Sequence, residues 1–178
     1  MISQKLTLIF VFAVFFFSAS AQSTIKWMTF QQAVEANKKT PRKFLIDIST
    51  VWCGWCKKMD ATTFTNPVLA KYINEHYYPV KLDGEYKKDI EFQGRVYKFV
   101  PNGARGYHEL PAELMGGKMT YPTIVYLTPD YKIIQAIAGY KSPQELEPII
   151  KFFGDDVYAQ EPWNTYLASF QSDLGGGN

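Results

Sequence analysis

The feature that most constrains this chain is its pair of cysteines, Cys53 and Cys56, which are the only two in 178 residues. A predicted strand, Lys43 to Ser49 (KFLIDIS), ends shortly before them, and a predicted helix carries Cys56. The fold must therefore join a strand end to a helix start at this point. A disulfide between such near neighbours closes a very small loop, and small loops gain the least stability from a cross-link. Chemistry at the sulfur atoms explains the pair better than the alternative, an inert structural disulfide.

The first 21 residues have the pattern of an export signal. Lys5 supplies a positive charge, residues 6–17 are almost purely apolar, and Ala19-Ser20-Ala21 matches the small residues of a cleavage site. This apolar run is too short to cross a bilayer comfortably, which takes about 20 residues. We expect 1–21 to be a signal peptide and 22–178 to be a single domain, periplasmic or secreted and not stably inserted in a membrane. An uncleaved N-terminal anchor is the alternative.

Charge argues against one class of partner. The formal net charge is +2 at pH 7, and no basic block stands out along the chain. Nucleic acid is therefore not predicted as a partner. A mature chain of this length can bury a hydrophobic core without disulfide staples.

Apolar periodicity and capping residues predict an alternation of helices and strands. Thr29 is a suitable N-cap, Asn66-Pro67 is a typical helix start, and Ser142 to Glu145 form a capping box. Pro148 lies inside the helix that follows Ser142 and should kink that helix or delay its start. The predicted helices cover 29–39, 56–63, 67–76, 142–153 and 163–170, and the predicted strands cover 43–49, 78–82, 123–127 and 132–138. This order predicts a three-layer α/β domain with a central mixed sheet flanked by helices.

The segment of approximately 84–119 is longer than a simple connection requires and is predicted to be an insert. Ile90 to Val100 resembles a small hairpin that turns at Gln93-Gly94, and Tyr107 to Met115 is predicted to be a short helix stopped by Gly116-Gly117. Two interpretations stay open. The insert is either a decoration, or a lip over the active site that offers the aromatic side chains of Tyr97, Phe99 and Tyr107.

A Cys-x-x-Cys pair at the start of a helix has a chemical rationale. Unpaired backbone N–H groups and the positive end of the helix dipole favour the thiolate form of the first sulfur, and the thiolate is the nucleophile of disulfide exchange. The second cysteine, one turn further on, can attack the resulting mixed disulfide and release the partner. Cys53 is therefore predicted to attack and Cys56 to resolve.

Two other roles are known for closely spaced cysteines. Haem attachment requires a histidine directly after the second cysteine, where this chain has Lys57. A zinc site would need further ligands, and the two histidines of the chain, His76 and His108, match no familiar zinc spacing. A zinc-binding exported domain is nevertheless kept as an alternative that depends on these histidines approaching the cysteines.

The segment Trp52 to Lys57 (WCGWCK) resembles the active-site segment of the thioredoxin superfamily. Asp47 lies six residues before Cys53, where the resemblance implies a buried acid that handles the proton of the resolving thiol. A buried acid has its pKa raised, which suits a proton acceptor. Lys81 resembles the lysine that pairs with this acid. The resemblance thus implies catalytic roles for Cys53, Cys56, Asp47 and Lys81.

The resemblance extends beyond the motif, over roughly Trp27 to Phe153. Thr120 to Thr123 (TYPT) resembles the cis-proline loop of the family, which implies that the Tyr121–Pro122 bond is cis and that the backbone of Tyr121 faces an extended substrate peptide. Gly139 resembles the glycine before the final helix. Trp52 and Trp55 flank the first sulfur and are predicted, with Tyr121 and Pro122, to bind substrate.

The predicted function is thiol–disulfide exchange with protein thiols and disulfides in the cell envelope, with no metal or organic cofactor and with electrons from a membrane-embedded thiol partner. Classical thioredoxins have proline beside the second cysteine, where this chain has Trp55, so the motif leaves the direction of electron flow open. Asp47 and Trp52 favour a reductase. A non-catalytic binding module on a thioredoxin fold is the alternative.

Overall fold

The structure is a computed structural model, and it describes residues 23–175. A central sheet of four strands carries helices on both faces, with two short hairpins and a helix inserted after the second strand. The elements are α1 Phe30–Lys39, β1 Lys43–Ser49, α2 Gly54–Thr62, α3 Pro67–His76, β2 Tyr77–Asp83, β3 Ile90–Phe92, β4 Arg95–Tyr97, β5 Phe99–Asn102, β6 Arg105–His108, α4 Glu109–Leu114, β7 Thr123–Leu127, β8 Ile133–Ala138, α5 Pro143–Gly154, a 3₁₀ helix Val157–Ala159 and α6 Trp163–Ser169.

The sheet is mixed, with strand order β2-β1-β7-β8. β1 pairs in parallel with β2 and antiparallel with β7, and β7 pairs antiparallel with β8. Since β1 has a neighbour on each side, its backbone is fully paired, and its five inner residues are buried. The register sets Asp47 opposite Lys81 on one side and Ile124 on the other.

Side chains that alternate along β1 feed two separate cores, because successive residues of a strand point to opposite faces of the sheet. Leu45 belongs to the core that the sheet shares with α2, α3 and α5. Phe44, Ile46 and Ile48 belong to the core that it shares with α1 and the insert. The predicted three-layer α/β architecture is therefore confirmed, and it is a thioredoxin-like fold.

Local capping interactions place the helix starts. Asn66 accepts hydrogen bonds from the backbone N–H groups of Val68 and Leu69, and Ser142 forms a complete capping box with Glu145. Of the two effects predicted for Pro148, a kink or a delayed start, the delayed start is wrong, because α5 begins at Pro143 and runs through Pro148 to Gly154. The apolar face of α5 is buried in the core, and this tertiary packing outweighs the backbone hydrogen bond that proline removes.

The insert contains two hairpins rather than one. The β3–β4 hairpin turns at Gln93-Gly94 as predicted, and both residues have positive φ, as the tightest hairpin turns require. The second hairpin, β5–β6, was missed, and it takes up Tyr107, which was assigned to a helix. That helix, α4, begins only at Glu109, because the His108 side chain accepts the Leu110 N–H and caps it.

The predicted export signal lies outside the described residues. Among residues 23–175, no helix is long and apolar enough to cross a membrane.

Two buried tyrosines on one face of the sheet provide a test of the core. The Tyr77 hydroxyl donates to the Ile150 carbonyl at 2.6 Å, whereas the Tyr126 hydroxyl has no partner within the described part of the chain. We expect Tyr77→Phe to lower the free energy of unfolding by about 1 kcal/mol, and Tyr126→Phe to leave it unchanged or raise it. Urea unfolding of both variants checks this, and equal losses in the two would contradict it.

Candidate active site

The two cysteines form a disulfide at the start of α2. Cys53 is the N-cap residue, and its Sγ accepts the backbone N–H of Cys56 at 3.1 Å. The helix was predicted to begin at Cys56, but it begins at Gly54, because the sulfur takes the capping role that an oxygen usually has. The first sulfur thus lies at the positive end of the helix dipole, next to backbone donors, as thiolate chemistry requires.

An open cleft leads from solvent to Cys56. Its volume is about 580 Å³, and its walls include Cys56, Lys57, Asp60 and Lys81. Although Cys56 is only 4% exposed, it lies at the wall of this cleft. Partner groups and protons can therefore approach the second cysteine from the side on which Lys81 lies.

Asp47 lies on the face of β1 that α2 covers, and it is 1% exposed. Its Oδ2 accepts a hydrogen bond from Lys81 Nζ at 2.6 Å. Lys81 also pairs with Asp60, on the second turn of α2, and its ammonium lies over the rings of Trp27 and Phe64. The structure therefore brings together Asp47 and Lys81, as the resemblance implied, and adds Asp60 as a third charged group.

Burial raises the pKa of Asp47 above its ordinary value, because the charged carboxylate loses its hydration. The positive charge and hydrogen bond of Lys81 oppose this shift without cancelling it, and the negative charge of Asp60 adds to it. A carboxyl with a raised pKa holds a proton more readily than an exposed aspartate, so Asp47 is suited to exchange a proton during a reaction.

The Tyr121–Pro122 peptide bond is cis. The Pro122 carbonyl accepts the N–H of Gly139 at 2.8 Å, which ties this loop to the end of β8. Gly139 has a φ of 86°, a conformation that favours glycine, and it leads into the turn before α5. The Tyr121 ring packs so closely on Gly84 that a side-chain carbon there would collide with it.

Two tryptophans beside the disulfide are exposed, Trp52 by 45% and Trp55 by 57%. The Trp52 ring meets Tyr121 edge-on at 5.8 Å between centroids, so Trp52 and the cis-proline loop form one surface. Trp55 lies 5.5 Å from Tyr140, between β8 and α5. The four residues predicted to bind substrate thus lie around the cysteines on one side of the molecule.

The insert reaches this surface through residues that were not predicted. Arg105, at the start of β6, holds its guanidinium 4.1 Å from the centre of the Trp52 ring, and Glu85 accepts the Trp52 indole N–H at 3.1 Å. Of the aromatic residues expected to form a lip, Tyr97 is buried and donates to Glu113, whereas Phe99, beneath the Lys87 ammonium, and Tyr107 lie on the hairpin that carries Arg105. Asp60, Glu85, Arg105 and Tyr140 had no motif to mark them, since only the tertiary fold brings them here.

The two histidines have other surroundings. His76, at the end of α3, stacks on Tyr72 and lies 3.5 Å from an oxygen of Asp155. His108 caps α4 and lies beside Tyr86 within the insert. Across residues 23–175, no three side chains of histidine, cysteine, aspartate or glutamate form a group that could hold a metal ion.

A four-stranded mixed sheet, a cis-proline loop and a Cys-x-x-Cys disulfide at the start of a helix define a thioredoxin-fold protein. A family model described as "Thioredox_DsbH: Protein of unknown function, DUF255" matches residues 12–155. The chain belongs to this family.

Several solved structures share the fold. A DsbH oxidoreductase superposes with a TM-score of 0.55 at 15% identity, over 86% of this chain and 94% of that one. A thioredoxin-fold protein from Helicobacter pylori gives 0.57 at 16% identity, over 84% and 93%. A putative disulphide-isomerase from Bacteroides thetaiotaomicron gives 0.50 at 20% identity, over 75% and 95%. At these identities the likeness shows the fold alone.

Curated relatives are much longer than this chain. Human spermatogenesis-associated protein 20 is 26% identical over 159 residues, which is 85% of this chain and 18% of that protein. The uncharacterized protein B0495.5 of Caenorhabditis elegans is 24% identical over 111 residues, which is 62% of this chain and 13% of that protein. The similarity therefore covers one part of each relative.

The raised pKa of Asp47 predicts how stability depends on pH. A carboxyl whose pKa is raised by folding stabilises the folded protein while it is protonated. This stabilisation is lost as the pH rises from 3.8, the ordinary pKa of aspartate, through the higher pKa of Asp47 in the folded protein. We expect oxidised Asp47→Asn, which stays neutral, to have a higher free energy of unfolding than the wild type at neutral pH. The difference should grow as pH rises and then level off, as measured by urea unfolding from about pH 3 to about pH 9.

Asp60→Asn is the matched control, because it changes the more exposed carboxylate on the same lysine. Its effect should stay within about 1 kcal/mol, as for other exposed ion pairs. An Asp47→Asn variant less stable than the wild type at neutral pH would show that the ion pair with Lys81 outweighs burial.

Proposed function

We propose that this protein is a thiol–disulfide oxidoreductase that exchanges disulfides with protein substrates. The observation that carries the proposal is the disulfide at the start of α2, in which Cys53 is the N-cap and Cys56 follows in the first turn of the helix. Helix starts favour thiolates, so this position suits Cys53 as the attacking sulfur. A purely structural disulfide that closes so small a loop would add little stability to the protein.

In the proposed reaction the reduced protein donates two electrons to a partner disulfide. The Cys53 thiolate attacks one partner sulfur, which forms a mixed disulfide and releases the other sulfur as a thiolate that takes up a proton. The Cys56 thiol then loses its proton and attacks the Cys53 sulfur. This step forms the Cys53–Cys56 disulfide and releases the second partner thiolate, so the partner is reduced and this protein is oxidised.

Asp47 is proposed to accept the proton that Cys56 loses. Its buried position on the face that α2 covers and its raised pKa support this role. Lys81 is proposed to hold the Asp47 carboxylate in place by their hydrogen bond, while the cleft beside Cys56 gives the pair a route to water.

Trp52, Trp55, Tyr121 and Pro122 are proposed to bind the partner segment that carries the reacting disulfide. The first two offer exposed aromatic surface next to Cys53. The backbone N–H and carbonyl of Tyr121, next to Pro122, take part in no backbone hydrogen bond found among the described residues. An extended partner segment can pair with such a backbone.

The proposed setting is the cell envelope, where the protein acts as a reductase that a membrane-embedded dithiol partner re-reduces. The export pattern of residues 1–21 supports the location. Asp47 supports the proposed reductase direction, because a group that helps to deprotonate Cys56 speeds the release of a reduced partner. No metal or organic cofactor takes part in the proposed reaction.

Cysteine variants test the activity. We expect the wild-type protein to accelerate the reduction of insulin by dithiothreitol, and Cys53→Ser to abolish this acceleration because the attacking thiolate is gone. Cys56→Ser should also be inactive, but it should accumulate a mixed disulfide with a partner through Cys53, visible by non-reducing electrophoresis and mass spectrometry.

Cys53→Ser is the control for this trapping, because it keeps Cys56 but lacks the attacking sulfur. If the wild-type activity is no higher than that of the serine variants, the proposed oxidoreductase activity is rejected. It would favour instead a binding module that uses the fold without cycling its disulfide.

The cellular location of the protein and the direction of electron flow can both be measured in the cells that produce it. We expect the protein in the envelope fraction, with its chain starting near Gln22. Rapid alkylation should find both cysteines as thiols, because a reductase is kept reduced by its donor. A chain that keeps residues 1–21 inside the cell would refute the location, and a fully oxidised pair in the envelope would refute the direction.

A further inference from the structure

Two cations lie on aromatic rings on opposite sides of the Cys-x-x-Cys segment. The Arg105 guanidinium lies 4.1 Å from the Trp52 ring centre, and the Lys58 ammonium lies 4.8 Å from that of Trp55. Both tryptophans are exposed, and both cations are exposed too. Within residues 23–175, neither Arg105 nor Lys58 belongs to an ion pair.

The β5–β6 hairpin carries Arg105 next to its turn, opposite Asn102 of β5. The base of this hairpin, at His108, is closed by a hydrogen bond from the Glu109 N–H to the Lys98 carbonyl at 2.9 Å. The same end is tied to the residue after β2 by a bond of 2.8 Å from the His108 N–H to the Gly84 carbonyl. Stacking on Trp52 then fixes the guanidinium itself, so little side-chain entropy is left to lose when it binds a partner.

Lys58 is held in a similar way on the other side. It projects from α2, and its ammonium lies between two rings, 4.8 Å from Trp55 and 4.9 Å from Tyr140. The Tyr140 hydroxyl is in turn hydrogen-bonded to the Thr62 hydroxyl at 3.2 Å. The ammonium therefore has a defined position beside Trp55 and no internal counter-charge.

The nearby acids are already engaged. Asp60 forms a salt bridge with Lys81, and Lys81 also forms one with Asp47. Glu85 accepts the Trp52 indole N–H, and Asp83 accepts the backbone N–H of Glu85. The surface around the disulfide therefore presents two held cations, while the acids near it are Glu85 and, at the wall of the cleft, Asp60 and Asp83.

We propose that Arg105 and Lys58 bind acidic side chains on both sides of the reacting cysteine in partner proteins. The inference rests on the proposed function and names its substrate class: disulfides in acidic segments. A guanidinium that stacks on an aromatic ring keeps its N–H edge free for a carboxylate, and charge-assisted hydrogen bonds of this kind are stronger than neutral ones. Opposite charges at the rim of an interface mainly raise the association rate, which is the step that selects partners in exchange.

The insert thereby gains a role. Its second hairpin brings Arg105 to the disulfide, and the first turn after β2 brings Glu85. Partner selection is thus shared between α2, which carries Lys58, and a part of the chain that lies outside the redox centre.

Two disulfide peptides test the inference. They have the same sequence except that the residues flanking the cysteine are glutamate in one and glutamine in the other. The quantity measured is the ratio of the two rate constants for reduction by the reduced protein, followed by peptide fluorescence. Intrinsic differences between the peptides cancel when each variant's ratio is divided by that of the wild type.

We expect the wild type to prefer the acidic peptide, and the preference to fade in about 1 M salt, where charges are screened within about 3 Å. Arg105→Gln and Lys58→Gln should each lower the ratio by about 1.5-fold to fivefold, the range for one exposed ion pair. Glu85→Gln keeps an acceptor for Trp52 and removes the opposing charge, so it should raise the ratio. Lys71→Gln, on α3 beside a different cavity, is the matched control and should not change it.

The outcomes separate the inference from the function on which it rests. Equal rates for the two peptides in the wild type, or a ratio that neither Arg105→Gln nor Lys58→Gln lowers, would overturn the acidic substrate class and leave the oxidoreductase standing. A wild-type protein that reduces neither peptide faster than its Cys53→Ser variant would overturn the oxidoreductase and this inference together.

Discussion

The ion pair between Asp47 and Lys81 is the interaction on which the site depends. Parallel pairing of β1 with β2 sets the two residues opposite each other, and both lie on the face that α2 covers. A carboxylate in that position is expensive to bury, and one ammonium compensates only part of the cost. The sheet therefore holds an ionisable group beneath the helix that carries the disulfide.

The redox pair is placed by the same strand. β1 is paired on both sides, so its end is a rigid support, and four residues after that end Cys53 caps α2. The first sulfur then lies at the helix start, the second lies by the cleft, and Asp47 lies below on the same strand. One short stretch of chain supplies the proposed nucleophile, the proposed resolving thiol and the buried acid, while β2 and the cis-proline loop complete the surroundings.

Much of this was predictable, because it depends on local signals. The strand from Lys43 to Ser49 and the helix from Pro67 to His76 have the predicted bounds, since an apolar run and an Asn-Pro cap specify them locally. The start of α2 was misplaced because sulfur is an unusual cap. The contacts of Arg105 with Trp52 left no trace in the sequence, because a hairpin that was itself missed makes them.

The insert leaves the sheet at Asp83 and returns just before the cis-proline loop, so both of its ends are next to the disulfide. Its length can therefore change without any strand of the central sheet changing register. In evolutionary terms the chain separates two tasks. The core can keep the proposed thiol–disulfide chemistry constant while the inserted hairpins change in length and sequence, and the same junctions offer protein engineers a place to graft recognition loops.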